Sequence, residues 1–114
     1  MAWELENPKL TADNFWAEVA AHPIVVVHFW ATWNQSDRMM DGVTQNVRPE
    51  FEAISFFAFD SGPEESWDIL HHLGIYSLPT LICFLNGQEH ARSVGYLNPK
   101  LLRAKLREWL AAST

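Results

Sequence analysis

A single cysteine, Cys83, stands in the 114 residues. No intrachain disulfide can form and no cysteine-built metal site can be assembled, a usage that fits a reducing compartment. Basic residues are also scarce: 8 Lys and Arg face 14 Asp and Glu, for a net charge of −6. That balance favours solubility and argues against a general phosphate-binding surface for nucleic acid. Half of the basic residues, Lys100, Arg103, Lys105 and Arg107, crowd near the C-terminus and read as the solvated face of one helix. The N-terminal MAWELENPKL lacks a basic start followed by an apolar stretch, so no signal peptide is visible. Pro23–Ala31 is far too short to cross a bilayer. A soluble, cytoplasmic protein with no membrane partner is expected.

What is present is apolar and aromatic. Hydrophobic residues make up 48% of the chain, with 6 Trp and 7 Phe among them, enough for the core of one domain spanning residues 1–114. Trp3–Leu5 reads as a short edge strand limited by Pro8. A helix is predicted from Thr11, with Phe15, Trp16, Val19 and Ala20 as its apolar stripe and His22-Pro23 as its stop. Ile24–Trp30 is β-branched and aromatic without alternation, the pattern of a strand covered on both faces. Asn34 can cap the helix that follows, and Asp37 sits where the acidic partner of a capping box would. Met40, Val43, Val47 and Phe51 share one face of that helix; Gly42 inside it costs about 1 kcal/mol relative to alanine. Strand Ile54–Phe59 leads through the turn cluster Asp60–Pro63 to a helix over Glu64–Leu73, with Trp67, Leu70 and Leu73 as apolar points and Gly74 at its C′ position. Strands Thr80–Leu85 and Glu89–Val94 flank the hairpin signal Asn86-Gly87. A last helix over Pro99–Ala111, capped by Asn98, turns Leu102, Leu106 and Leu110 inward. The order (β)αβαβαββα requires a right-handed parallel crossover and then an antiparallel hairpin, so helices cover both faces of a mixed sheet.

The chemistry-bearing candidates are few. His28 interrupts the buried strand and is expected neutral. His28 and Asp37 are near enough in this arrangement for an acid–base pair, but Ser36 is the only nucleophile in the stretch and nothing marks it as activated. His71 and His72 point about 100° apart on a helix and do not chelate together. Asp37 occupies the helix start that would otherwise draw an anion. Cys83 lies inside a strand, where an apolar environment disfavours thiolate. No metal and no cofactor is expected.

Val26-Val27-His28-Phe29-Trp30-Ala31-Thr32-Trp33, Gly74-Ile75-Tyr76-Ser77-Leu78-Pro79-Thr80, Phe84-Leu85-Asn86-Gly87 and Val94-Gly95 together resemble the landmarks of the thioredoxin family, over about Leu10 to Leu110. The resemblance implies an α/β thioredoxin fold, a central mixed sheet flanked by helices on both faces, with Pro79 as the family's cis-proline. It departs at the chemistry. Where the family has Trp-Cys-Gly-Pro-Cys, this chain has Trp33-Asn34-Gln35-Ser36-Asp37. Asn34 and Asp37 thus replace the nucleophilic and resolving cysteines. His28 replaces the family's buried Asp, and Gly42 replaces a helix proline. Disulfide exchange needs one thiolate to attack and a second thiol to release the mixed disulfide, and neither replacement does either.

The resemblance also implies a groove in which polypeptide pairs with the backbone beside the cis-proline, a contact independent of the cysteines. Trp33, Tyr76, Leu78 and Pro79 would form its rim. The expected function is a redox-inactive protein, not an enzyme, that binds a peptide or partner protein there. The alternatives are a thiol–disulfide oxidoreductase acting through Cys83 with an external thiol, and a subunit whose exposed face serves assembly.

Overall fold

The computed structural model describes residues 7–113; the strand expected at Trp3–Leu5 lies outside them. Five strands form one sheet, β1 (Lys9–Leu10), β2 (Ile24–Trp30), β3 (Ser55–Asp60), β4 (Thr80–Leu85) and β5 (Gln88–Val94), in the spatial order β1-β3-β2-β4-β5. β3 runs parallel to both β1 and β2, while β4 is antiparallel to β2 and β5. Four helices complete the fold: α1 (Phe15–Ala21), α2 (Gln35–Val47), α3 (Trp67–Leu73) and α4 (Pro99–Ala112).

β2 is central, and all of its residues are buried. Side chains alternate across a strand, so a strand without polar alternation needs cover on both sides. Val25, Val27 and Phe29 pack with Phe15 and Val19 of α1 and Ile69 of α3. Ile24 and Val26 pack with Met40, Val43 and Val47 of α2 and Leu102, Leu106 and Trp109 of α4. Each such side chain contributes about 1.5–3 kcal/mol of apolar burial. Asn86 and Gly87, at φ 52° and 83°, make the left-handed turn that joins β4 to β5.

All four helices differ from the sequence expectation. α1 begins at Phe15 rather than Thr11. The Thr11 amide donates to Asn14 Oδ1 at 2.7 Å and the Asn14 amide to Thr11 Oγ1 at 3.3 Å, so side chains hold amides that a helix would use. Phe15 and Val19 alone of its stripe are buried; Trp16 and Ala20 are exposed. The helix expected over Glu64–Leu73 is split into a 3-10 turn, Glu64–Ser66, and α3. There Ser66 Oγ donates to the Asp60 carbonyl at 2.7 Å, and Ile69, not the exposed Trp67, is the fully buried apolar residue. In α4 the buried set is Leu102, Leu106 and Trp109, with Leu110 only partly buried, as a 3.6-residue period favours Trp109 over Leu110. α2 ends at Val47, and a 3-10 turn over Arg48–Glu50 carries Pro49 before Phe51 returns to the core.

Candidate functional site

The junction from β2 to α2 brings most of the candidate residues together. Asn34 is the N-cap of α2, its side-chain oxygen accepting the Asp37 amide at 3.1 Å. Its other side-chain atom, Nδ2, donates to the carbonyl of Leu78 at 3.2 Å. The cap residue therefore ties the helix start to the loop before Pro79. The Leu78–Pro79 peptide is cis, and the Pro79 carbonyl accepts the Gly95 amide at 2.8 Å.

Asp37 does not close a capping box on Asn34. Its side chain turns inward and is fully buried, with Oδ2 accepting the Ala31 amide at 2.9 Å and Oδ1 3.2 Å from His28 Nε2. The sequence signature is the same for both arrangements; the buried imidazole beneath the helix start decides between them, because it offers a second donor to a carboxylate already out of water. His28 Nδ1 has no hydrogen-bond partner among the described residues. With Nε2 protonated, the pair is a satisfied carboxylate held by two N–H donors. Ser36 is only partly buried and is not among the hydrogen-bond partners of this pair within the described residues.

The four expected rim residues divide into two kinds. Trp33 and Tyr76 are 72% and 87% exposed. Leu78 is half-buried against the α1/α3 core and Pro79 is buried, so these two are less open to solvent than the rings. Two further residues belong to the site and were not expected there, Asp60 and Gly62. A Cβ on Gly62 would come within 3.2 Å of Trp33 Cζ3 and 3.3 Å of Asp60 Oδ1, so the outer edge of the indole and the Asp60 carboxylate border the same space over Gly62. Their only sequence signal was a turn cluster.

Cys83 sits apart from this surface. It is fully buried among the side chains that face α2 and α4, and burial pushes its thiol up to about 11. His71 and His72 are both exposed on α3. Among the described residues no group of His, Cys, Asp or Glu is arranged to hold a metal ion, and no helix is long and apolar enough to cross a membrane. Cavities of about 410 and 220 Å³ lie elsewhere, the first against Pro8, Phe51 and Ile54, while one of about 210 Å³ adjoins the site at Asp60, Pro63 and Glu65.

A mixed five-stranded sheet between two helix pairs, with a capped helix start facing a cis-proline loop, defines the thioredoxin fold. The sequence model of the family described as Thioredoxin matches residues 6–108. Thioredoxin-1 of Saccharomyces cerevisiae is 30% identical over 93 residues, covering 82% of this chain and 87% of the yeast protein. A thioredoxin of Alicyclobacillus acidocaldarius is 32% identical over 101 residues, 89% of this chain and 95% of that one. Among solved structures, the thioredoxin of Malassezia sympodialis superposes with a TM-score of 0.77 at 26% identity, covering all of this chain (100%) and 96% of its own. Mitochondrial thioredoxin 3 of Saccharomyces cerevisiae, in its oxidised form, gives 0.78 at 23% identity over 90% of this chain and 94% of that chain. The chain belongs to the thioredoxin family.

Proposed function

We propose that this chain is a redox-inactive member of the family that binds a polypeptide across Trp33, Tyr76, Leu78 and Pro79. The observation that carries this reading is the Asn34–Leu78 hydrogen bond. An amide stands where thiol chemistry would begin, and it braces the cis-proline loop with two large rings left in solvent beside it. The Leu78 carbonyl keeps a second lone pair for a bound main chain. The absence of a motif thiol removes both steps of disulfide exchange. The lone buried cysteine suits a reducing compartment, and the cytoplasm is the location that goes with this reading.

Trp33→Ala combined with Tyr76→Ala tests the proposal. Both side chains are largely exposed, so the fold is expected to survive, whereas Pro79 is buried and its replacement would confuse binding with stability. The double variant should keep its unfolding midpoint and lose affinity for a bound polypeptide by about tenfold or more. Unchanged affinity would remove the groove from the account.

Reaction through Cys83 is the competing activity. A buried thiol whose pKa lies near 11 is almost wholly protonated at neutral pH. A thiol reagent is expected to leave the native protein unmodified and to label it once denaturant is added. Rapid stoichiometric labelling of the native protein, with turnover of a model disulfide, would favour the enzyme instead.

A further inference from the structure

We propose that the occupant of the Trp33–Tyr76 face is an extended segment carrying lysine or arginine. This deepens the binding reading above and rests on it. Exposed aromatic faces alone fit many chains; the charge beside them selects among them.

Trp33 and Asp60 share the space over Gly62, where a single added carbon would meet both the ring and the carboxylate. Asp60 Oδ1 accepts the Gly62 amide at 3.0 Å, and its second oxygen takes no hydrogen bond among the described residues. An indole face with a carboxylate at its edge is a natural seat for a cation, since the ring quadrupole and the charge attract it together. Glu64 follows directly after Gly62-Pro63 and is exposed, and Glu65 and Asp68 continue the same sign.

Opposing charge is sparse. Before Thr80 the lysines and arginines are Lys9, Arg38 and Arg48. Arg48 donates to Asn7 Oδ1 at 2.9 Å, and Lys9 and Arg38 each have an interaction of their own. Beyond the loop, Arg92 is held by Glu89. Other carboxylates are already paired, among them Asp37 with His28 in the core and Glu50 with Arg103. A second exposed ring, Tyr76, stands two residues before Leu78, with its Cε2 3.9 Å from where a Cβ on Gly74 would lie. The complementary segment is therefore extended, basic and free of carboxylates where it crosses Trp33.

The test uses the full-length protein and short extended peptides that are identical except for Lys, Gln or Glu at the same positions. Affinities are read by calorimetry, and the site by the Trp33 indole N–H resonance, assigned with Trp33→Phe. The Lys peptide should bind about fivefold tighter than the Gln peptide at low ionic strength, and the Glu peptide weakest. High salt should erase most of that difference. Asp60→Asn with Glu64→Gln should also erase the difference between the Lys and Gln peptides, because Asn keeps the acceptor for the Gly62 amide but carries no charge.

Equal affinities for all three peptides, with Trp33 shifting, would overturn the basic segment and leave the groove standing. Preference for the Glu peptide would do the same. If no peptide shifts Trp33, the basic segment and the groove fall together. A concentration-dependent dimer that buries Trp33 would assign the face to a second copy and likewise overturn the proposal.

Discussion

Helix α2 is fastened by two buried polar networks, one around Asp37 and one around Asp41, a helical turn apart on its inner side. The first is local: Asp37 reaches Ala31 and His28, 6 and 9 residues away. The second is long-range. Asn7 donates to Asp41 Oδ1 and to Thr44 Oγ1, both at 2.8 Å and across 34 and 37 residues, and accepts Arg48 at 2.9 Å across 41. The first holds its carboxylate between the Ala31 amide and the His28 ring; the second is wired through an amide to a guanidinium. The difference is one of what each holds in place. The Asp37 network fixes the β2–α2 junction and, through Asn34, the loop before Pro79. The Asn7 network fixes the start of the described chain to the back of α2. Loss of the first should therefore reach the candidate site, and loss of the second should not.

Asp37→Ala gives the strongest separation. It leaves the Ala31 amide and His28 Nε2 without an acceptor in the core, and a loss of about 3 kcal/mol is expected in urea unfolding. Amide exchange at residues 31–37 should quicken with it. A stable variant with unchanged exchange would mean that the two networks are equivalent.

The Cys83 thiol provides a contrasting buried group on the same side of the sheet, ionisable but without a partner. Its pKa is raised from 9.0 to about 11, so the folded state holds its proton more tightly than the unfolded chain. The stability this represents is complete below pH 9 and is lost as pH rises to about 11, an effect of about 2–3 kcal/mol. Cys83→Ala should be less stable at neutral pH through its cavity but should show a shallower alkaline decline. An identical decline in both proteins would assign it to other groups.

Asn7→Ala breaks the long-range network and should cost about 2 kcal/mol, because Asp41 and Arg48 each lose a partner. Protease nicking should then begin near the N-terminus, with polypeptide binding at Trp33 unaffected. The smallest effect lies beside the second network. Gly42 is exposed in the interior of α2, and a Cβ added there meets no atom within 4 Å. Gly42→Ala should stabilise by about 0.5–1 kcal/mol through helix propensity alone. A thermal melt that falls instead would show strain in α2 next to Asp41.

This pair of networks also marks where sequence was readable. β2, the Asn86-Gly87 turn, the Asn34 cap and the Asn98 cap were legible because each is written in neighbouring residues: a patternless apolar run, a left-handed turn pair, an amide before a helical period. The alternation of strands and helices then constrained the sheet. Asp37 was legible as a residue of the helix start but not in its direction, since a capping box and an inward carboxylate share one spacing. Asn7 gave no signal, as its partners are fixed only by the tertiary fold. The late start of α1 was hidden because Thr11 and Asn14 satisfy each other's amides as well as a helix would. Trp33 was expected at the rim, but its place beside Gly62 and Asp60 joins elements distant in sequence, and that place gives the face its charge.

The loop between α3 and β4 is pinned at both ends. Arg92 reaches across from β5 to donate to the Leu73 carbonyl at 2.6 Å and the Gly74 carbonyl at 3.3 Å. Thr80 Oγ1 donates to the Ser77 carbonyl at 2.6 Å, and the Gly95 amide to that of Pro79. A jaw clamped in this way has already lost its backbone freedom during folding, so a partner closing on it need not supply that ordering again. Recognition here should consequently look like docking onto a finished surface: association limited by encounter, a small change in the loop on binding, and selectivity expressed in how slowly the partner leaves.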